Sequence, residues 1–243
     1  MKTPPLNIQF RAQYKVDLAH PLTVEDNLAD LFRLRERIRT LSPHMVEWFL
    51  GGDTKDDSYL YPAFDNTGPT TAITAVLNER ARQRKSAPLV TRSIGLWNGK
   101  DNLDGASMGL VYIEANRPSL VKLDTSCPEM LSHVKVLATC QAFIDIWRPS
   151  FVAVEPTFYD PVFKDRPGVG WMLYLPQVLT VQQVPEAAAL IPVLSEKKKQ
   201  TGTIIVSVAD EPFSSDNPEH VKIANKIEVR LVDQDLLPRY AEL

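Results

Sequence analysis

Hydrophobic and polar positions alternate most regularly near the start of the chain. From Leu6 to Val16 every second residue is apolar, and the residues between them are polar or charged. A period of two residues is that of a β-strand with one buried face and one solvated face, which is common in antiparallel sheets. This segment therefore predicts an antiparallel strand.

A helical period follows this first strand. Thr23 and Asp26 have the spacing of a capping box, and apolar residues then recur every three or four positions as far as Leu41. Pro43 ends the predicted helix. Further helices are predicted over residues 69–85, 128–147 and 218–236. The one at 128–147 is apolar around most of its circumference, so we expect it to be central and packed on more than one side.

Short apolar runs bounded by Gly, Pro and Asp predict the remaining strands. They cover residues 46–50, 89–97, 106–114, 119–124, 151–154, 170–175, 191–194 and 203–208. Turn-rich connections fill residues 51–68 and 155–168, and the connector at 98–105 is long for a hairpin.

Strands and helices mix without strict alternation, which favours an α+β fold over a doubly wound sheet. The 19 prolines against 10 glycines indicate many short elements with stiff connections. A chain of 243 residues fits one large domain or two small ones, and no repeat or flexible linker divides this one. We predict a single α+β domain over residues 1–243, with a mainly antiparallel sheet packed with about four helices.

The charge pattern argues against binding to nucleic acid or membranes. The net charge is −3, and the basic residues of the first helix (Arg33, Arg35, Arg37 and Arg39) follow steps of two that scatter them around its circumference. No apolar run approaches ~20 residues, so no transmembrane span is predicted. The first residues lack the apolar core of a signal peptide.

The two cysteines are predicted to remain reduced. Cys127 and Cys140 fall near the two ends of one predicted helix, where thirteen residues would hold them ~20 Å apart, beyond the reach of a disulfide. A reduced protein is expected in the cytoplasm. Cys140 lies among apolar residues, where burial makes a thiol unreactive.

The sequence contains no recognisable set of catalytic, cofactor-binding or metal-binding residues. None of the four histidines lies within a metal-ligand spacing of another histidine or of a cysteine, and no nucleophile elbow, phosphate loop or dinucleotide motif is present. We therefore expect no enzymatic activity. One alternative is a small cytosolic hydrolase of unrecognised type that uses carboxylates between Glu155 and Asp165 with His220. Another is a structural or adaptor subunit.

Acidic residues gather in three loops, around residues 53–57, 101–104 and 210–216, with aromatic residues nearby. Solvated loop charge and core packing are the simplest explanations. The more specific hypothesis is an interface for a basic protein partner. In it, aromatic side chains bury themselves against the partner, and acidic side chains speed its approach. The contact residues that it predicts are Asp53, Asp56, Asp57, Tyr59, Trp97, Asp101, Asp104 and Tyr159.

Several fragments, taken in order, resemble the immunity protein 52 family, whose members lie beside polymorphic bacterial toxins. They are the turn from Trp48 to Asp53, the loop from Tyr61 to Pro69, the run from Ile94 to Gly99, the strand from Gly170 to Pro176, and Pro218-Glu219-His220 at the start of the last helix. The fragments span nearly the whole chain, so the resemblance covers a single domain.

The resemblance implies a cytosolic antitoxin of a Gram-negative bacterium, without enzymatic activity or cofactor. Such a protein binds and neutralises a cognate effector, here expected to be a nuclease-type toxin delivered by a type VI or related contact-dependent system. A nuclease domain presents a basic face to its polyanionic substrate, so acidic loops can steer onto it. The resemblance carries no residue-level inhibitory motif to this sequence.

Overall fold

The computed structural model describes residues 6–52, 54–83 and 90–243. Within them nine strands form one sheet: β1 (Ile8–Tyr14), β2 (Phe49–Leu50), β3 (Thr91–Trp97), β4 (Ala106–Ile113), β5 (Ser119–Thr125), β6 (Phe151–Pro156), β7 (Met172–Leu175), β8 (Ala189–Leu194) and β9 (Gln200–Val206). The α-helices of the same residues are α1 (Val24–Ile38), α2 (Lys55–Tyr59), α3 (Thr71–Gln83), α4 (His133–Trp147) and α5 (Pro218–Asp233). The predicted α+β class is confirmed, with one helix more than expected.

Every pair of neighbouring strands is antiparallel, in the order β2-β3-β4-β5-β1-β6-β7-β9-β8. β1 lies at the centre, with Ile8 opposite Thr125 of β5 on one side and opposite Pro156 of β6 on the other. The segment with the clearest sequence alternation therefore joins the two halves of the sheet.

One face of the sheet packs against helices. Phe10 of β1 stacks on Phe143 of α4 with ring centroids 6.0 Å apart, and Tyr14 lies 6.4 Å from Trp147. α1 packs against both α3 and α4, while α4 also contacts β1 and β6. The central position predicted for the segment 128–147 is thus confirmed.

The predicted capping box of α1 is also confirmed. The Thr23 hydroxyl accepts a hydrogen bond from the Asp26 N–H at 3.1 Å, and the Asp26 carboxylate accepts one from the Thr23 N–H at 2.8 Å. Together they satisfy N–H groups that the first helical turn leaves without intrahelical partners.

Some predicted boundaries were wrong. α2 lies inside residues 51–68, which were expected to be a loop, because five residues are too few to show a helical period. The strand predicted at 46–50 is limited to β2, since Pro43–Met45 forms a 3-10 turn just before it. The end of the helix predicted at residues 84–85 lies outside the described residues.

Cys127 does not belong to the same helix as Cys140. It precedes a second 3-10 turn (Pro128–Met130), and α4 starts only at His133, because Pro128 cannot continue a helix from earlier residues. Both thiols are buried, as predicted for Cys140, and neither is in a disulfide.

The second face of the sheet is covered along β6 and beyond it. Phe151 and Glu155 of β6 point away from α4, and the ring of Tyr240 near the C-terminus lies 6.0 Å from the ring of Phe151. Consistent with cover on both faces, β6, β7 and β9 are almost continuously buried. These three strands therefore offer little side-chain surface to solvent.

The other half of that face is open. Along β3, β4, β5 and β1 the residues that point away from α1 and α4 are exposed or half-buried, while their neighbours in sequence are buried. A Cβ added at Gly95 would meet no atom within 4 Å. We call this surface the open sheet face: Ser93, Gly95, Trp97, Ser107, Gly109, Val111, Leu120, Lys122 and Asp124. Its described residues are exposed or half-buried, and Tyr59 and Lys55 contact it at one end, on the ring of Trp97.

Both edges of the sheet are short or irregular. β2 has only two residues. β8 contains Pro192, which has no N–H to donate, and its pairing with β9 shifts register between Val193 and Leu194. Neither edge presents a long, regular row of free peptide groups.

Candidate partner-binding site

Six of the predicted contact residues lie together at one corner of the sheet. α2 carries Asp56, Asp57 and Tyr59, Trp97 ends β3, and the connector to β4 carries Asp101 and Asp104. We call these six residues the acidic corner. Trp97 also belongs to the open sheet face, where it lies opposite Ser107. The acidic corner and the open sheet face therefore form one continuous surface.

Aromatic packing fixes the position of α2. The ring of Tyr59 lies 5.1 Å from that of Phe49 in an edge-on arrangement and 5.6 Å from that of Trp97. The Tyr59 hydroxyl donates a hydrogen bond to the carbonyl of Gly99 at 3.0 Å. Gly99 has φ of 73°, and a Cβ at this position would lie 2.8 Å from Cε2 of Phe49, so glycine is the residue that fits.

A buried asparagine organises the acidic connector. The side-chain amide of Asn98 donates to the carbonyls of His44 at 3.1 Å and Asp104 at 2.8 Å. Its side-chain oxygen accepts from the N–H groups of Lys100 at 3.2 Å and Ala106 at 2.9 Å. The bond to His44 joins the connector to another segment, and the other three hold the connector's own backbone and its junction with β4, so Asp101 and Asp104 are presented in a defined arrangement.

The acidic side chains of this region differ in whether they already form hydrogen bonds or ion pairs within the protein. Asp57 is engaged in the capping box of α2, where its carboxylate accepts from the Thr54 hydroxyl at 2.6 Å. Asp101 pairs with Lys55. The Asp104 carboxylate lies 3.7 Å from Nε2 of His44.

Asp56 is exposed and forms no ion pair with another described residue. It and Asp104, whose side chain is 52% exposed, are the acids most open to a basic partner. The ammonium group of Lys55 also lies 5.5 Å from the centre of the Trp97 ring. This cation offsets part of the local negative charge.

Two predicted contact residues are not part of this arrangement. Asp53 lies outside the described residues. Tyr159 is only 8% exposed, and its hydroxyl donates to the Glu228 carboxylate at 2.6 Å. Its ring packs edge-on against Phe213 at 5.6 Å. Tyr159 is therefore a core residue that offers little surface to a partner, because its hydroxyl satisfies a buried carboxylate.

The carboxylate that binds Tyr159 belongs to a buried polar network which the sequence did not indicate. Glu228 of α5 is 1% exposed and also accepts from the backbone N–H groups of Val162 and Val169 at 2.7 and 2.9 Å. Burial raises the pKa of Glu228 above its ordinary value, although these hydrogen bonds oppose the shift. The only sequence signal was its position on the apolar stripe of α5.

Glu155 lies beside this network on β6. One of its oxygens is 3.5 Å from Nη2 of Arg11, which also donates to the Tyr240 hydroxyl at 2.8 Å. The other oxygen is buried without a hydrogen-bond partner among the described residues. Burial raises the pKa of Glu155 from 4.5 to about 7; the charge on Glu228 adds to the shift, and Arg11 opposes it.

The groups proposed for a hydrolase do not come together. Nε2 of His220 lies 3.0 Å from Glu211, and Nδ1 of His220 accepts from the Ser214 N–H at 3.1 Å. Asp160 pairs with Lys164, whereas Asp165 pairs with Arg239 at 2.8 Å; Glu155 contacts Arg11. The carboxylates thus bind separate cations, so the geometry gives no support to this alternative.

Side chains of the type that binds metals converge at a different place. Ligand atoms of His44, Cys127 and Glu129 all lie within 4.8 Å of one another. Sequence spacing did not reveal them, because they come from two segments about 85 residues apart. None of the helices in the described residues is both long and apolar enough to cross a membrane.

Proteins similar to this chain are found among solved structures and protein families. No curated protein sequence matches the chain significantly. Among solved structures, it is similar to a T6SS protein of Pseudomonas aeruginosa, with 14% sequence identity and a TM-score of 0.48 over 91% of this chain and 72% of the other. The family model for immunity protein 52 matches residues 18–239. The chain therefore belongs to the immunity protein 52 family.

Proposed function

We propose that this protein is a cytoplasmic antitoxin that binds and neutralises a cognate secreted toxin through stoichiometric protein–protein inhibition. Membership of an immunity protein family supports the immunity role. We further propose that residues 1–243 act as a single domain and that the partner is a nuclease-type effector with a basic domain. In this proposal the protein transforms no substrate and acts in competition between bacteria.

The observation that carries the proposed mode of binding is the continuity of the acidic corner with the open sheet face. Antiparallel sheets commonly leave one face solvated, so an open face alone has an ordinary explanation. Here, however, it is flat at Gly95 and Gly109, which lie opposite one another, and it ends at a fixed cluster of aromatic and acidic residues. A flat surface with an aromatic edge is suited to contact with another folded protein.

Charge complementarity supports a basic partner. Asp56 and Asp104 lie at the rim of the surface, where acids speed encounter with a positively charged face rather than supplying most of the affinity. The net charge of −3 is too small for the whole molecule to imitate a nucleic acid. We therefore propose local steering by the acidic corner, followed by docking of the partner on the open sheet face.

Co-purification tests the proposal at its broadest. When this chain is produced together with the toxin encoded by its neighbouring gene, the two should elute as one complex of fixed stoichiometry. The same co-expression should protect the host cell from the toxin. The absence of a complex under these conditions would refute the proposed function.

Association kinetics test the acidic corner. Reversing two charges, Asp56→Lys with Asp104→Lys, should slow association with the toxin by roughly tenfold at low ionic strength, and the loss should shrink as salt is added. The matched control, Glu196→Lys with Asp233→Lys, changes the net charge by the same amount at two exposed residues, one in the turn between β8 and β9 at the opposite edge of the sheet and one at the end of α5. Equal association rates for the variant at Asp56 and Asp104 and for this control would exclude the acidic corner as the contact.

A second pair of variants tests the open sheet face. Val111 is 37% exposed at the middle of this face, and Val229 is 49% exposed on α5. Val111→Arg should accelerate dissociation of the complex, because it places an unpaired charge where the partner docks. Val229→Arg should leave dissociation unchanged. If both substitutions have the same effect, docking lies elsewhere.

A further inference from the structure

We propose that His44, Cys127 and Glu129 form a binding site for a transition-metal ion of the zinc class. One imidazole nitrogen, one thiol sulfur and one carboxylate oxygen lie within 4.8 Å of one another. Ligand atoms in a tetrahedral zinc site are separated by about 3.5 Å, given bonds of about 2.0–2.3 Å. The Glu129 side chain is exposed, so it is free to make the small movement that this requires.

A buried serine holds the three ligands in place. Ser42 is 2% exposed, and its hydroxyl donates to the Glu129 carboxylate at 2.8 Å. The same oxygen lies 3.6 Å from Sγ of Cys127 and accepts from the His44 N–H at 3.2 Å. A single side chain therefore contacts each of the three residues, as the outer-shell groups of metal sites do.

The ligand types select the ion. Nitrogen, sulfur and oxygen donors suit Zn²⁺, Co²⁺ and related ions, whereas Mg²⁺ and Ca²⁺ prefer oxygen alone. Cys127 would bind as the thiolate, so its proton passes to the buffer as the metal–sulfur bond forms. The Asp104 carboxylate lies 3.7 Å from Nε2 of His44 but is not part of the cluster of three, so it would have to move to act as a fourth ligand.

Metal binding would tie together parts of the chain that are distant in sequence. His44 and Cys127 lie in separate turns before β2 and α4. The acidic connector contacts His44 through a hydrogen bond from Asn98 and through the Asp104 carboxylate. A bound ion should therefore raise the stability of the folded protein. This effect needs no toxin, so it is independent of the proposed function.

Titration of the full chain with Co²⁺ in the absence of other thiols tests the site. We expect a thiolate-to-cobalt absorption band in the near ultraviolet that disappears when Zn²⁺ is added. Cys127→Ser should abolish the band, whereas Cys140→Ser, which changes the other buried cysteine, should retain it. His44→Ala should weaken Co²⁺ binding by roughly tenfold or more.

Thermal unfolding provides a second measurement that needs no chromophore. Zn²⁺ should raise the melting temperature of the wild type and of Cys140→Ser, and should leave that of Cys127→Ser unchanged. His44→Ala keeps the test usable if Cys127→Ser does not fold, because His44 is only half-buried. The absence of a cobalt–sulfur band in the folded wild type, or a band that survives in Cys127→Ser, would overturn the proposal.

Discussion

Glu155 should make the protein less stable as the pH rises toward neutrality. Its side chain is 12% exposed, and one carboxylate oxygen is buried without a described hydrogen-bond partner. Burial, reinforced by the charge on Glu228, raises its pKa from 4.5 to about 7 in the folded protein, while Arg11 and Lys122 oppose the shift. The folded state therefore binds this proton more tightly than the unfolded state does.

The sign and size of the effect follow from this difference. A raised folded-state pKa contributes stability that is fully present below the unfolded-state pKa and is lost as the pH rises through about 7. At about 1.4 kcal/mol for each pKa unit, the complete loss is about 3 kcal/mol. Most of it should be lost between about pH 5 and about pH 8. Glu228 has a raised pKa for the same reason and adds a change of the same sign.

Glu155→Gln isolates the contribution of this one carboxyl. Urea unfolding, followed through the fluorescence of the tryptophans, of which Trp48, Trp147 and Trp171 are buried, gives the free energy of unfolding at each pH. The substitution should be nearly neutral at about pH 5 and should stabilise the protein relative to wild type by about 2–3 kcal/mol at about pH 8. Glu196→Gln, in an exposed turn, serves as the control and should follow the wild type. Parallel pH profiles for wild type and Glu155→Gln would refute the reasoning.

Three further predictions concern the acidic connector and the core. Gly99→Ala should destabilise the protein by about 1–2 kcal/mol in urea unfolding, because it places a Cβ on a residue with positive φ. Gly95→Ala, where a Cβ would meet no atom, should destabilise it much less. Equal losses of stability for the two variants would contradict the geometry. Asn98→Ala should cost about 2–3 kcal/mol in the same assay, since it leaves buried backbone groups without partners; a neutral result would show that water replaces the amide. Cys140 should resist thiol reagents in the native protein and react only after unfolding, because burial raises the pKa of its thiol; rapid native labelling of Cys127→Ser would disprove this.

Local patterns predicted much of the fold. The alternation in β1, the capping box at Thr23 and the apolar circumference of α4 each depend on residues close in sequence, and each is confirmed. The order of the strands was beyond such reasoning, because β1 pairs with strands more than 100 residues away. α2 was missed because its five residues do not complete two helical turns.

The candidate site was only partly predictable. Nearby aromatic and acidic residues indicated the acidic corner, but sequence could not show that Asp57 caps α2 or that Lys55 pairs with Asp101. Tyr159 carries the same chemical groups as Tyr59, and only burial distinguishes the two. Carboxylates are expected at the surface, so the buried position of Glu155 gave no signal in the sequence, and that of Glu228 was indicated only by its place on the apolar stripe of α5.

The irregular edges of the sheet have a consequence for how the protein behaves alone. A long straight outer strand would invite other copies to add themselves one after another, as in fibrils. Here one border is two residues long, and the other is interrupted by Pro192 and a register shift. Growth by strand addition therefore has no good starting point along the described strands, which should keep individual molecules dispersed even at high concentration.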